Sequence, residues 1–72
     1  MTEIELFGTR LEELIYKKGL NKLKLAAIIQ INPSCVCAYT RGRHAPCVDI
    51  LMHIINALNL TAEKTHWLMT GK

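Results

Sequence analysis

The chain has 72 residues, half of them hydrophobic, with a net charge of +3 and 3 cysteines. That length suits one domain, read here as residues 1–72, near the lower end of what folds without disulfides or metal. No apolar run approaches membrane-spanning length, the acidic start lacks the basic flank of a secretory signal, and an odd number of thiols fits a reduced, cytoplasmic protein.

Helical signals follow one another along the whole chain. Thr2 with Glu5 three residues later makes a capping box, and Ile4, Phe7, Leu11, Leu14 and Ile15 recur at helical spacing before a stop at Gly19. Asn21 caps a short second helix reaching Gln30, with Leu25, Ile28 and Ile29 expected to face inward. Asn32 caps a third, Pro33 suits its first position because that N–H has no helical partner, and the helix should run from Pro33 to Arg41 and stop at Gly42. A connection this short between helices 2 and 3 forbids antiparallel packing and predicts the steep crossing of a helix-turn-helix. A fourth helix begins at Cys47 or Val48, with Val48, Leu51, Met52, Ile55 and Leu58 as its expected inner stripe. Thr61 caps a fifth, which contains Trp67 and Leu68 and ends at Gly71. The fold class is therefore all-α, with five helices.

Charge is unevenly distributed. Residues 1–16 set Glu3, Glu5, Glu12 and Glu13 against Arg10, whereas residues 17–46 hold Lys17, Lys18, Lys22, Lys24, Arg41 and Arg43 with no acid. An acid-free basic segment is expected where a polyanion docks. On helix 3, Cys35, Val36 and Tyr39 share the side expected to face the core, and Pro33, Ser34, Cys37 and Ala38 share the other. That outer side is small and uncharged, so it fits a close approach to a DNA major groove. Ser34 is its polar reader, and Pro33, Cys37 and Ala38 offer van der Waals contact, as to a thymine methyl. With no Arg, Gln or Asn there, direct base readout should be weak and DNA shape should matter. Arg10, Lys22, Asn32, Arg41, Arg43 and His44 are the expected backbone contacts, Lys22 at a helix N-terminus that already favours an anion.

Two other chemistries were weighed. Cys35, Cys37, His44 and Cys47 lie within thirteen residues, but on a helix Cys35 and Cys37 point about 200° apart and cannot share one ion, so no metal is expected. Cys47 with His44 or His53 lacks an accompanying acid or oxyanion site, so neither an enzyme nor a cofactor is expected.

The stretches KKGLN, KLKLAAIIQIN, RGRHAP, LMHIINALNLT and HWLMTG, in that order and spacing, resemble the phage-repressor and Cro-like helix-turn-helix family over nearly the whole chain. The resemblance implies a lambda repressor-like fold and a transcriptional regulator, phage or prophage in setting. It further implies a homodimer on a pseudo-palindromic operator, with base-facing Pro33, Ser34 and Ala38 and backbone-facing Lys22, Asn32, Arg41 and Arg43. The family's usual turn glycine is Gln30 here, its usual opening glutamine of helix 2 is Lys22, and the positions of its buried Arg–Glu pair are Ile15 and Thr40. Leu60, Trp67 and Leu68 are the expected dimer contacts. The rival reading is a protein-interaction module on the same fold, an antirepressor, antitoxin or dimerisation unit, with little base readout.

Overall fold

A computed structural model describes residues 2–72. The elements in order are α1 (Glu3–Lys17), α2 (Lys22–Ile29), α3 (Pro33–Thr40), α4 (Val48–Ala57) and α5 (Ala62–Thr70). The five expected helices are present, and their starts follow the sequence signals. At α1 the Thr2 amide donates to Glu5 Oε1 at 3.0 Å and the Glu5 amide donates to Thr2 Oγ1 at 3.3 Å, which satisfies two N–H groups left over by the first turn. The Thr2 amide, joined by the Thr2 hydroxyl donating to the same Oε1 at 3.0 Å, favours the ionised carboxylate and holds Glu5 below the usual carboxylate range. Asn21 Oδ1 accepts from the Lys24 amide at 2.8 Å, and Thr61 Oγ1 from the Lys64 amide at 3.2 Å. Helix α3 stops one residue earlier than expected, with Arg41 as its C-cap.

One core joins all five helices: Phe7, Leu11, Leu14 and Ile15 of α1, Leu25 and Ala26 of α2, Val36 of α3, Ile54 of α4, Leu58 at its end, and Leu68 of α5. Helix α1 is the common wall, packed against α2, α3 and α5, while α2 lies between α3 and α4. The contact of α1 with α3 depends on Gly8. A Cβ built there would sit 2.5 Å from the carbonyl oxygen of Tyr39 and 2.6 Å from that of Thr40. Only a residue without a side chain lets the two backbones meet this closely.

Two inward faces differ from expectation. Ile28 is 52% exposed, and Ala26 takes the buried place on α2. On α4, Val48 and Met52 are 75% and 53% exposed, while Ile54, outside the expected stripe, is fully buried. The cause is the same in both helices. Each is apolar on more than one side, so helical spacing alone permits two rotational settings, and packing against neighbours selects one.

Gly8→Ala should destabilise the chain by about 2–3 kcal/mol, the scale of overpacking a close contact. Urea denaturation followed by circular dichroism measures this, and a stability change below about 0.5 kcal/mol would contradict the packing described.

Candidate nucleic-acid interface

The joint between α2 and α3 is built from capping chemistry. Helix α2 ends at Gln30, which adopts φ 59° and ψ 46°, the left-handed conformation normally left to glycine. The Ile31 amide donates back to the Ala26 carbonyl at 3.0 Å. The chain then starts α3 immediately: Asn32 Oδ1 accepts from the Ser34 amide at 3.0 Å and from the Ser34 hydroxyl at 2.9 Å. Asn32 therefore turns its acceptor into the helix and leaves its amide hydrogens outward.

Helix α3 buries Val36 and Thr40. The Thr40 hydroxyl donates to the Cys37 carbonyl at 3.0 Å, so it brings no orphaned polar group into the interior. Ile15, at the other position of the family's charged pair, is fully buried, so neither position brings a charge into the core. The other side of α3 is accessible, with Pro33 and Ser34 exposed and Cys37 and Ala38 half-buried. Cys35 and Tyr39, expected to face the core, are also half-buried. With Ser34, Ala38, His44 and Ala45 they line a shallow recess of about 390 Å³ beside the helix. Partial burial pushes the Tyr39 phenol up, with Cys35 and Cys47 adding to the effect, so the phenol keeps its proton.

The start of the loop after α3 is held at two points. The Arg43 amide donates to the Ala38 carbonyl at 2.9 Å. Gly42, at φ 75°, lies so close to Glu5 that a Cβ would come within 2.7 Å of its Cα. Arg41, Arg43 and His44 are exposed around this anchored loop. The basic residues that follow α3 are thus fixed relative to the helix by backbone contacts rather than by their own side chains.

Three expected site residues have other placements. Arg10 is a correction: its Nε donates to the Leu68 carbonyl at 2.9 Å, its guanidinium lies against Gly71, and its Nη2 is buried without a partner. A cation at this point serves the C-terminus of α5, where unpaired carbonyls concentrate negative potential. Leu68 is the second correction, because it is fully buried and presents no surface to a dimer partner. Leu60 and Trp67 are partly buried against the core. Lys22 stands at the start of α2 as expected, yet its ammonium lies 3.2 Å from Glu12, and its side chain is 24% exposed. Sequence reading missed Glu12 as that partner, Gly8 as the seat of α3, and Ala45 as a wall of the recess. All three depend on contacts between different elements, which no pattern within one helix reports.

Among the described residues, no three His, Cys, Asp or Glu side chains converge on a point that could hold a metal ion. Cys35, Cys37 and Cys47 are free thiols. No described helix is long and apolar enough to cross a membrane.

No protein-family model matches the chain, and no curated protein matches its sequence. The structure is similar to the high-resolution crystal structure of the restriction-modification controller protein C.AhdI from Aeromonas hydrophila. The TM-score is 0.79 and the identity 27%, over 86% of this chain and 94% of that one.

Relieving the strained turn with Gln30→Gly should raise stability by about 0.5–1 kcal/mol, the left-handed penalty less the extra glycine entropy. Arg10→Met should lower stability by about 1–2 kcal/mol through the lost charged hydrogen bond. Thermal melts of both variants check these values, and for Arg10→Met the binding of duplex DNA by the folded protein should stay within twofold of the parent.

Proposed function

We propose that this chain, whose five-helix structure is similar to that of a restriction-modification controller protein, is a sequence-specific, double-stranded DNA-binding transcriptional regulator of the phage-repressor and Cro-like helix-turn-helix family. In this reading one domain of residues 1–72 works in the cytoplasm as a homodimer, needs no cofactor and catalyses nothing. Each copy sets α3 into the major groove of one half of a pseudo-palindromic operator. The observation that carries the reading is the pairing of an accessible, uncharged side of α3 with an exposed cationic loop pinned at Gly42. Similarity to a restriction-modification controller protein supports a regulatory role.

The side chains divide the work by their chemistry. Arg41, Arg43 and His44 grip phosphates on one flank, and the outward amide of Asn32 donates to another. Lys22 adds a contact only where a phosphate displaces Glu12 from their partly exposed ion pair. The Ser34 hydroxyl already donates to Asn32. Toward a base it is left as an acceptor, and the major-groove donors are the amino groups of adenine and cytosine. Pro33, Cys37 and Ala38 contribute apolar contact, for which the groove offers the thymine methyl. Direct readout is sparse, so DNA shape and deformability supply part of the specificity.

The lack of Arg, Gln or Asn on the outer side of α3 also favours a second reading, a protein-interaction module such as an antirepressor or antitoxin. Selection from random duplexes followed by salt titration separates the two. A DNA reader enriches a two-fold motif with half-site centres about 34 Å apart, and its log affinity falls by about 0.9 per phosphate for each tenfold rise in salt. Arg43→Ala should weaken all duplexes alike and make the salt slope shallower by about one, while Ser34→Ala should change preference at one or two base pairs. Enrichment of nothing, or a motif indifferent to Ser34→Ala and Ala38→Gln, would sink the assignment of α3 as reader.

A further inference from the structure

Val36 and Thr40 are the buried residues of α3, and at helical spacing Ser34 and Ala38 lie almost diametrically opposite them. These two therefore stand at the centre of the accessible side, and both also line the recess of about 390 Å³. The facing wall is the loop. The Arg43 amide bond to the Ala38 carbonyl draws the chain back along α3, and His44 and Ala45 stand beside the helix. Cys35, Ala38, the Tyr39 ring and Ala45 make the lining largely apolar, and among the described residues no Asp, Glu, Lys or Arg contributes to it. Ser34 differs. Its hydroxyl hydrogen is committed to Asn32 Oδ1 at 2.9 Å, so toward the recess it presents only oxygen lone pairs.

The recess thus sets a hydrogen-bond acceptor next to an apolar wall, on the side of α3 that faces DNA in the proposed function. The major-groove edges of the bases match that combination to different degrees. Guanine offers two acceptors and nothing for Ser34 to receive. Adenine offers an amino donor, but N7 beside it and no apolar group. Thymine offers a C5 methyl, yet the neighbouring group on its edge is the O4 acceptor. Against the Ser34 oxygen, O4 would leave two acceptors desolvated with no proton between them. Cytosine offers the N4 amino donor with only C5–H beside it. Cytosine methylated at C5 carries both features on one ring, the donor for Ser34 and the methyl for the apolar wall.

We infer that this recess reads 5-methylcytosine in duplex DNA, so that cytosine methylation strengthens binding to the operator. The N4 amino group donates to Ser34 Oγ, and the methyl lies among Cys35, Ala38, Tyr39 and Ala45. The inference rests on the proposed DNA-binding reading and names the base that its sparse polar readout selects. Removing one methyl group from water is worth about fourfold in affinity, which sets the expected gain for each half-site.

Selection from two random duplex libraries tests this, one made with cytosine and one with every cytosine methylated at C5. The methylated library should enrich a motif with cytosine at one fixed position of each half-site. Synthetic duplexes methylated at that position alone in one half-site should bind about fourfold more tightly than the unmethylated form. Ala45→Gln, which fills the recess from its exposed wall, should abolish this difference. Ser34→Ala should keep the gain from the methyl while binding thymine and 5-methylcytosine alike, whereas the parent prefers 5-methylcytosine. Affinity indifferent to methylation at every enriched cytosine overturns the inference, as does a methyl gain that survives Ala45→Gln in a variant folded by circular dichroism. A loss on replacing thymine by uracil, with no gain from cytosine methylation, puts thymine in the recess and overturns it as well. These outcomes leave the DNA-binding reading standing, while a chain that binds neither library refutes that reading itself.

Discussion

The close approach of α1 to the end of α3 at Gly8 governs the geometry of everything around it. The carbonyl oxygens of Tyr39 and Thr40 occupy the space that a side chain at position 8 would need. That contact fixes the level at which α3 sits on α1, and with it which residues of α3 turn inward. Val36 and Thr40 enter the core, and the side carrying Pro33, Ser34, Cys37 and Ala38 is left accessible. One turn earlier on α1, Glu5 lies against Gly42, so the same helix positions both α3 and its basic loop. Rigidity here matters because a helix offering few polar readers must be held in register by its neighbours.

Charge is allocated along the same lines. Two of the four acids of α1 are used within the molecule: Glu5 closes the first capping box and Glu12 meets Lys22. Arg10 is likewise internal, tied to the Leu68 carbonyl at the end of α5. What the surface retains around α3 is Arg41, Arg43 and His44. A net charge of +3 therefore understates the local contrast, because internal pairing removes acids and cations selectively. The same pairing explains why a tally of basic residues points toward an anion-binding chain without saying which cations are free.

Helix α4 is covered on one side only. Its inner side, through Ile54 and Leu58, belongs to the core, and its outer side, through Val48 and Met52, is uncovered. Outward apolar residues on a 72-residue chain bring solubility costs.

Much of the architecture was legible in the sequence because the signals for it are local. Thr2 with Glu5, Asn21, Asn32 with Pro33, and Thr61 each act within three residues, and each begins a helix in the structure. The crossing of α2 and α3 follows from the shortness of their connection, and the accessible side of α3 from periodicity over a single turn. Other features depended on groups that no local pattern identifies. Periodicity favoured Val48 and Met52 as core on α4, and Ile28 on α2, because a helix apolar on several sides has no unique phase. Leu68 was assigned to a surface and lies in the core, while Arg10 was assigned to DNA and caps α5 from 58 residues away. The sequence by itself determined five helices, their caps and the helix-turn-helix. Tertiary packing decided which face of each helix is buried and which charges remain free, since both are properties of contacts between distant segments.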